Sequence, residues 1–184
     1  MPFIETGIEG LFVFEPKVFP DSRGYFFESY NRNIFTEQGI NIDFVQDNQS
    51  SSTYGVIRGL HFQLPPYAQS KLVRVLSGRI LDVAVDIRRG SPTFGKHFTI
   101  ELSAENKKQL FLPHGFAHGF SVLSETAEVL YKCDAFYNKQ SESGIMFNDP
   151  ELNIDWQIPA DQQVISEKDM NNPSFANLVE GFTY

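Results

Sequence analysis

The chain has 184 residues, 41% of them hydrophobic and 21% charged, enough for one domain with a sizeable core and unlike a disordered segment. Its net charge of −8 leaves no basic face of the kind that general nucleic-acid binding demands. The single cysteine, Cys133, excludes an intrachain disulfide and a cysteine-based zinc site. The start, MPFIETGIEG, lacks the basic and apolar regions of a signal peptide, and no apolar run approaches membrane length. A cytoplasmic protein without a membrane anchor is expected.

In chain order, strand-like runs begin with GLFVFEPKVF (10–19) and YFFESY (25–30), separated by a turn at Asp21-Ser22-Arg23-Gly24. NRNIFTEQ (31–38) reads as a short helix, and DFVQD (43–47) as a strand whose polar end, FVQDNQS, caps a loop. RGLHFQ (58–63), if extended, puts His61 and Gln63 on one face with Gly59, and Arg58, Leu60 and Phe62 on the other. The clearest signal is KLVRVLSGRILDVAVDI (71–87). Leu81, Val83, Val85 and Ile87 alternate there with Asp82, Ala84 and Asp86, and Ser77-Gly78 reads as a hairpin turn. HFTIEL (97–102), QLFLP (109–113), HGFSVL (118–123) and AEVLYKCDAFY (127–137) follow as strands, and SFANLVEG (174–181) as a helix capped by Gly181. No repeat or linker divides the chain, so 1–184 reads as one all-β domain, a sandwich or barrel for which a jelly roll suits strand number and length.

Only four histidines occur, and His61 has Arg58 three residues before it and Lys71 ten after it. A histidine on a strand is by default structural. Nearby cations favour its neutral form, which can accept a proton near pH 7, so a general base is the alternative. Tyr131 alternates onto a face with Val129 and Cys133, as a buried ring or as a phenol that protonates a carbanion. In SEKD (166–169) Asp169 reads either as part of an N-terminal cap or as the carboxylate that orients His61. A metal is disfavoured. Jelly-roll metal sites place a second histidine two residues after the first, and position 63 is Gln. His114 and His118, at i and i+4, would face one metal only on a helix, which the Pro and Gly of PHGFAHG oppose.

Taken together, FPDSRGYFFESY, FVQDNQSSS, GVIRGLHFQLPPYAQSKLVRVLSGRILDVAVDIRRGSPTFG, LPHGFAHGFSVLS, AEVLYK, NDPELNIDW and ISEKD, in this order, resemble the dTDP-4-dehydrorhamnose 3,5-epimerase family over about residues 3–170. The resemblance implies a cupin-type jelly roll, a homodimer with exchanged N-terminal strands, and no metal or organic cofactor. It implies dTDP-4-dehydro-6-deoxy-D-glucose as substrate, epimerised at C3 and C5. The base falls on His61, its carboxylate on Asp169 and the proton donor on Tyr131. Lys71, with Arg58, is expected to stabilise the enolate. The other substrate-contacting positions fall on Arg23, Glu28, Gln46, Asp47, Asn48, His118 and Lys168. In the loop after the second tyrosine, Tyr137, the register places Gln140 where the family carries a glutamate, with Glu142 two residues on as a substitute. Tyr137 is a second candidate for the acid. The rival readings are an epimerase that inverts only C3 or C5, a non-catalytic sugar-nucleotide binder, and a metal-dependent cupin.

Overall fold

The computed structural model describes residues 2–178 and 181–184. Eight strands make its centre: β5 (Gln46–Thr53), β6 (Val56–Gln63), β7 (Lys71–Ser77), β8 (Arg79–Asp86), β9 (His97–Ser103), β10 (Gln109–Leu112), β11 (Phe116–Val122) and β12 (Thr126–Cys133). They fall into two antiparallel sheets, with orders β10-β7-β12-β5 and β6-β11-β8-β9. That ordering is a jelly roll, as expected. β1 (Phe3–Glu5) and β2 (Phe12–Phe14) extend the first sheet beyond β10; β13 (Glu142–Gly144) and β14 (Val164–Ile165) pair with β6 in the second. β3 (Phe19–Asp21) and β4 (Gly24–Phe26) form a separate ribbon.

The strands read at 97–102, 109–113 and 118–123 agree with the structure to within about two residues, and the one read at 127–137 ends four residues earlier, at Cys133. The earlier runs are shorter: of 10–19 only Phe12–Phe14 and the start of Phe19–Asp21 are strand, 25–30 keeps only the end of Gly24–Phe26, and 43–47 keeps the first two residues of β5. Three further features differ. Ser77-Gly78 is no hairpin turn: β7 belongs to one sheet and β8 to the other, so the chain turns a corner between them. Gly78 is needed there, because φ is +75° and a Cβ would lie 2.0 Å from the Thr126 carbonyl oxygen. The polar stretch QDNQSSST is itself β5, an eight-residue strand on the edge of the first sheet. The segment predicted as a second helix holds a 3₁₀ turn at Phe175–Asn177, and its residues 179–180 lie outside the described residues. The first helix, α1 (Arg32–Glu37), forms where expected, with the Asn31 side chain accepting from Asn33 N as its N-cap.

Three apolar clusters hold these parts together. One lies between the sheets and includes Val73, Val75, Ile80, Ala84, Leu110, Phe120 and Val129. A second covers the outer face of the β6-β11-β8 sheet, where Leu81, Val83, Val85 and Ile87 pack under Ile145, Phe147 and Trp156. The alternation in β8 was therefore legible, but its apolar face looks outward under the C-terminal segment. Asp82 and Asp86 are fully buried rather than solvated. A third cluster seats Phe35 of α1 against Phe14 and Phe111. Phe35 is 1% exposed, and burying such a ring contributes about 1.5–3 kcal/mol.

Asp86 is tolerated inside because every lone pair direction is used. It accepts from Arg88 Nε (2.9 Å) and Nη2 (2.7 Å), Ser91 Oγ (2.6 Å) and Thr93 Oγ1 (2.7 Å). Burial pushes its pKa up, but these donors outweigh burial and hold the carboxyl below the usual range. Because the folded value is depressed, the stability it contributes is present above the ordinary carboxylate pKa and is lost as pH falls through the lower, folded one. Asp86→Ala is expected to lose about 3–5 kcal/mol, since Arg88 would be left a largely buried, unpaired cation. Urea unfolding at pH 7 measures this; a loss under about 1 kcal/mol would mean that Arg88 finds water instead. Among the described residues no helix is long and apolar enough to cross a membrane.

Candidate active site

The site is built where β6 and β7, in opposite sheets, face each other beside β12. On β6, strict alternation would separate Arg58 from His61. The pairing with β11 prevents this: His118 faces His61 and Phe120 faces Arg58, so β6 carries three steps where β11 has two. The extra residue is a β-bulge. It turns both Arg58 and His61 into one chamber while Ile57, Leu60 and Phe62 pack in the outer cluster. Gly59 makes the bulge feasible, because φ is +115° and a Cβ would sit 2.6 Å from both Gly119 Cα and His118 O.

His61 Nε2 lies 2.5 Å from Asp169 Oδ1. Asp169 reaches it from the short helix α2 (Glu167–Met170), whose N-cap Ser166 accepts from Asp169 N at 3.1 Å. The two alternatives for SEKD are thus both realised: Ser166 caps the helix and the Asp169 carboxylate goes to His61. Burial pushes the Asp169 pKa up, but the His61 hydrogen bond and charge, with the Gly59 N–H and Ser166 hydroxyl, hold it below the usual value. It is therefore an anion at neutral pH, placed to stabilise an imidazolium on His61.

His61 lines two adjoining spaces, a cleft of about 350 Å³ and an inner chamber of about 220 Å³. Lys71 and Tyr131 line both as well. Tyr131 on β12 and Lys71 on β7 come from the sheet opposite His61, and the Lys71 ammonium lies 5.8 Å from the Tyr131 ring centre. Burial lowers the Lys71 pKa, against the opposing fields of Cys133, Asp82 and Glu142. Burial raises the Tyr131 pKa, with Cys133 and Glu142 adding to it and Arg58 opposing. The phenol therefore keeps its proton at neutral pH. Cys133, across from Lys71 on β12, is pushed up to about 11, chiefly by burial, so it is a neutral thiol.

The other predicted positions divide. Gln46 and Asn48 line the cleft, Arg58 and His118 the chamber. Lys168 stands at the mouth, 2.5 Å from Glu142. Asp47 does not join them: it lies on the other face of β5, with Lys132 Nζ at 2.9 Å from its carboxylate. Gln140 is exposed in the loop before β13, where its N–H donates to Asn138 Oδ1. The carboxylate at the cleft is Glu142, which pairs across from Gln63 and accepts from the Tyr137 phenol at 3.0 Å. Burial raises the Glu142 pKa, and Lys168 and Tyr137 more than reverse this. Arg23 and Glu28 lie outside the cleft. Arg23 tips the β3–β4 ribbon on Asp21, with its side chain 87% exposed, and Glu28 accepts from Asn31.

Reading the sequence residue by residue missed Asp82. It is fully buried, with Oδ1 at 2.7 Å from His118 Nε2 and Oδ2 without a partner among the described residues. The only signal for it was its place opposite the apolar face of β8, which also fits a solvated residue. His114 is separate, paired with Asp134 at 3.0 Å.

The model of the dTDP-4-dehydrorhamnose 3,5-epimerase family matches residues 5–177. A dTDP-4-dehydrorhamnose 3,5-epimerase of Shigella flexneri is 54% identical over 178 residues, 96% of this chain and 97% of the relative. A crystal structure of a 3,5-epimerase from Legionella pneumophila in complex with dTDP-4-keto-L-rhamnose has a TM-score of 0.93 and 47% identity, covering 99% of this chain and 97% of that one. A 3′-monoepimerase from Streptomyces bikiniensis, solved with dTDP-quinovose, is further off at 33% identity and a TM-score of 0.85, over 92% and 86% of the chains. The jelly roll, the His61–Asp169 pair facing Tyr131, and a match that runs through nearly the whole sequence agree: the chain belongs to the dTDP-4-dehydrorhamnose 3,5-epimerase family, whose members are isomerases.

Proposed function

We propose that this chain inverts C3 and C5 of dTDP-4-dehydro-6-deoxy-D-glucose, with His61 as base, Tyr131 as acid and Lys71 as enolate stabiliser. The observation that carries the assignment is the placing of His61 and Tyr131 on opposite sheets around the same cleft and chamber. A base on one face of a sugar ring and an acid on the other is what inversion at carbon demands. C3 and C5 both flank the C4 ketone, so loss of either proton places negative charge on the same oxygen. His61 Nε2 is bound to Asp169, and the imidazolium formed when the ring takes a proton is stabilised by that buried anion. Burial disfavours the charge on Lys71, so an anionic oxygen that forms beside it stabilises the ammonium and is stabilised in turn, a term typically worth about 3–4 kcal/mol. Tyr131, kept neutral by burial, then returns a proton from the far side. Arg58 and Lys168 give the acidic chain a local basic lining for the diphosphate.

The same reading includes a homodimer in which the β3–β4 ribbon of one chain reaches the cleft of the other. Two facts support it. All six ribbon residues are exposed, with Phe19, Tyr25 and Phe26 at 48%, 60% and 67%. Arg23 and Glu28, which the family resemblance assigns to the substrate, stand away from the cleft of their own chain.

Proton NMR of the substrate in heavy water, without added metal or nicotinamide, tests the chemistry. Both the C3 and C5 signals are expected to disappear. Loss of one makes this a single-centre epimerase, and loss of neither removes the enolate mechanism. Tyr131→Phe is expected to separate the two half-reactions. With His61 intact it should still exchange substrate protons for deuterium, while formation of inverted product drops by about a hundred- to ten-thousand-fold. Equal loss of exchange and inversion would show that the phenol is needed before the proton leaves carbon.

A further inference from the structure

Gln63 occupies the position two residues after His61, and its amide is 4% exposed. That amide is committed to main-chain groups on the two rims of the cleft. Its Nε2 donates to Tyr67 O (2.7 Å) and Phe136 O (3.3 Å), and its Oε1 accepts from Asn138 N (2.7 Å). Gln46, from the opposite sheet, accepts from Tyr137 N at 3.0 Å and donates to Asn48 Oδ1 at 2.9 Å. Of the four polar groups in the two peptides flanking Tyr137, three are thereby held by these two glutamines. The side chain on this fixed backbone is 56% exposed and contributes little to any core. It points its phenol at Glu142, a cleft residue that is itself in register with Gln63. Holding an exposed ring so firmly does little for folding, and much for presenting it.

We infer that Gln63 is a positioning residue: its amide sets Tyr137, and with it the Tyr137–Glu142 pair, as a preformed wall for the part of the substrate outside the reacting ring. The inference rests on the proposed epimerase function for its kinetic consequence but not for its geometry. Removing the amide releases Phe136 O and Asn138 N on either side of Tyr137 without touching His61, Tyr131 or Lys71. Binding weakens and the chemical step persists.

The test is a double-mutant cycle of Gln63→Leu, Tyr137→Ala and the pair, read by steady-state kinetics and by amide hydrogen exchange. Gln63→Leu should raise KM about tenfold or more, since small misplacements are costly, and leave kcat within about threefold. Because Gln63 acts through Tyr137, the double variant should lose no more kcat/KM than Tyr137→Ala alone. Exchange at the Asn138 amide should speed up in Gln63→Leu whether or not substrate turns over. A fall in kcat at unchanged KM, losses that add, or an Asn138 amide as protected as in the parent would each overturn the inference. A parent enzyme without turnover would instead count against the epimerase reading and leave the exchange measurement to decide. If Gln63→Leu does not fold, Gln63→Glu serves the kinetic cycle, because it loses both donated bonds; it keeps the acceptor for Asn138 N–H, so the same rise in KM is expected with Asn138 exchange as slow as in the parent, and an unchanged KM would overturn the inference.

Discussion

His61→Ala is expected to lower kcat by about a hundred- to ten-thousand-fold, the usual contribution of a positioned base, with binding of dTDP nearly unchanged. The expectation follows from geometry and charge. His61 is partly exposed to both the cleft and the chamber, and its Nε2 is taken by a carboxylate that is 3% exposed. His118 also rests on a buried aspartate, Asp82, so the pairing alone does not mark a base; His61 differs in opening onto the cleft as well as the chamber, across from Tyr131, where Asp169 can stabilise the cation that forms in turnover. Asp169→Asn should therefore also lower kcat, by less than His61→Ala, because the ring remains but its cation is no longer stabilised. The double variant should resemble His61→Ala, since Asp169 acts only through the ring. Measured kcat in His61→Ala within about threefold of the parent would return His61 to its default role as a strand histidine.

How much of this was readable beforehand depended on distance along the chain. The period-two pattern of residues 80–87 gave a strand correctly because alternation is a local property. It gave no way to know that a further layer, around Ile145, Phe147 and Trp156, would cover the apolar face and leave Asp82 inside. Ser77-Gly78 looked like a hairpin because a glycine at positive φ serves an inter-sheet corner as well as a two-residue turn. β5 was hidden because an edge strand facing a polar cleft needs no apolar face, so QDNQSSST reads as loop. The bulge that brings Arg58 beside His61 is a property of the β6–β11 pairing and is invisible in β6 alone. Asp169 lies 108 residues from His61, and no periodicity joins them. The residues offered that pairing only as an alternative to a cap, the family resemblance favoured it, and the structure supplies its distance. The resemblance also assigned Asp47 and Gln140 to the substrate; the alternation of β5 and the register of β13 put Asp47 on the far face and Glu142, not Gln140, at the cleft.

The exchanged-ribbon dimer makes a sharper prediction than its parts. Arg23→Ala alone should lose about ten- to a hundredfold in kcat/KM, the value of a charge-assisted contact to phosphate. His61→Ala alone should be nearly inactive. Unfolded together and refolded as a mixture, the two impaired preparations should recover about a quarter of the parent's activity, above what Arg23→Ala alone retains. Random pairing makes half the dimers mixed. In each mixed dimer, the chain carrying Arg23→Ala keeps its own His61 and receives Arg23 from its partner, so one of the two sites is intact. If Arg23 served the cleft of its own chain, both sites of every mixed dimer would be defective and activity would not rise above that left in the Arg23→Ala chains. The exposed tip of the ribbon, with Arg23 resting on Asp21 of the same ribbon, fits the first outcome. Sedimentation of the parent decides the premise. A monomer at assay concentration would leave Phe19, Tyr25 and Phe26 in water, and the ribbon would then have to fold back over its own cleft for Arg23 to act there.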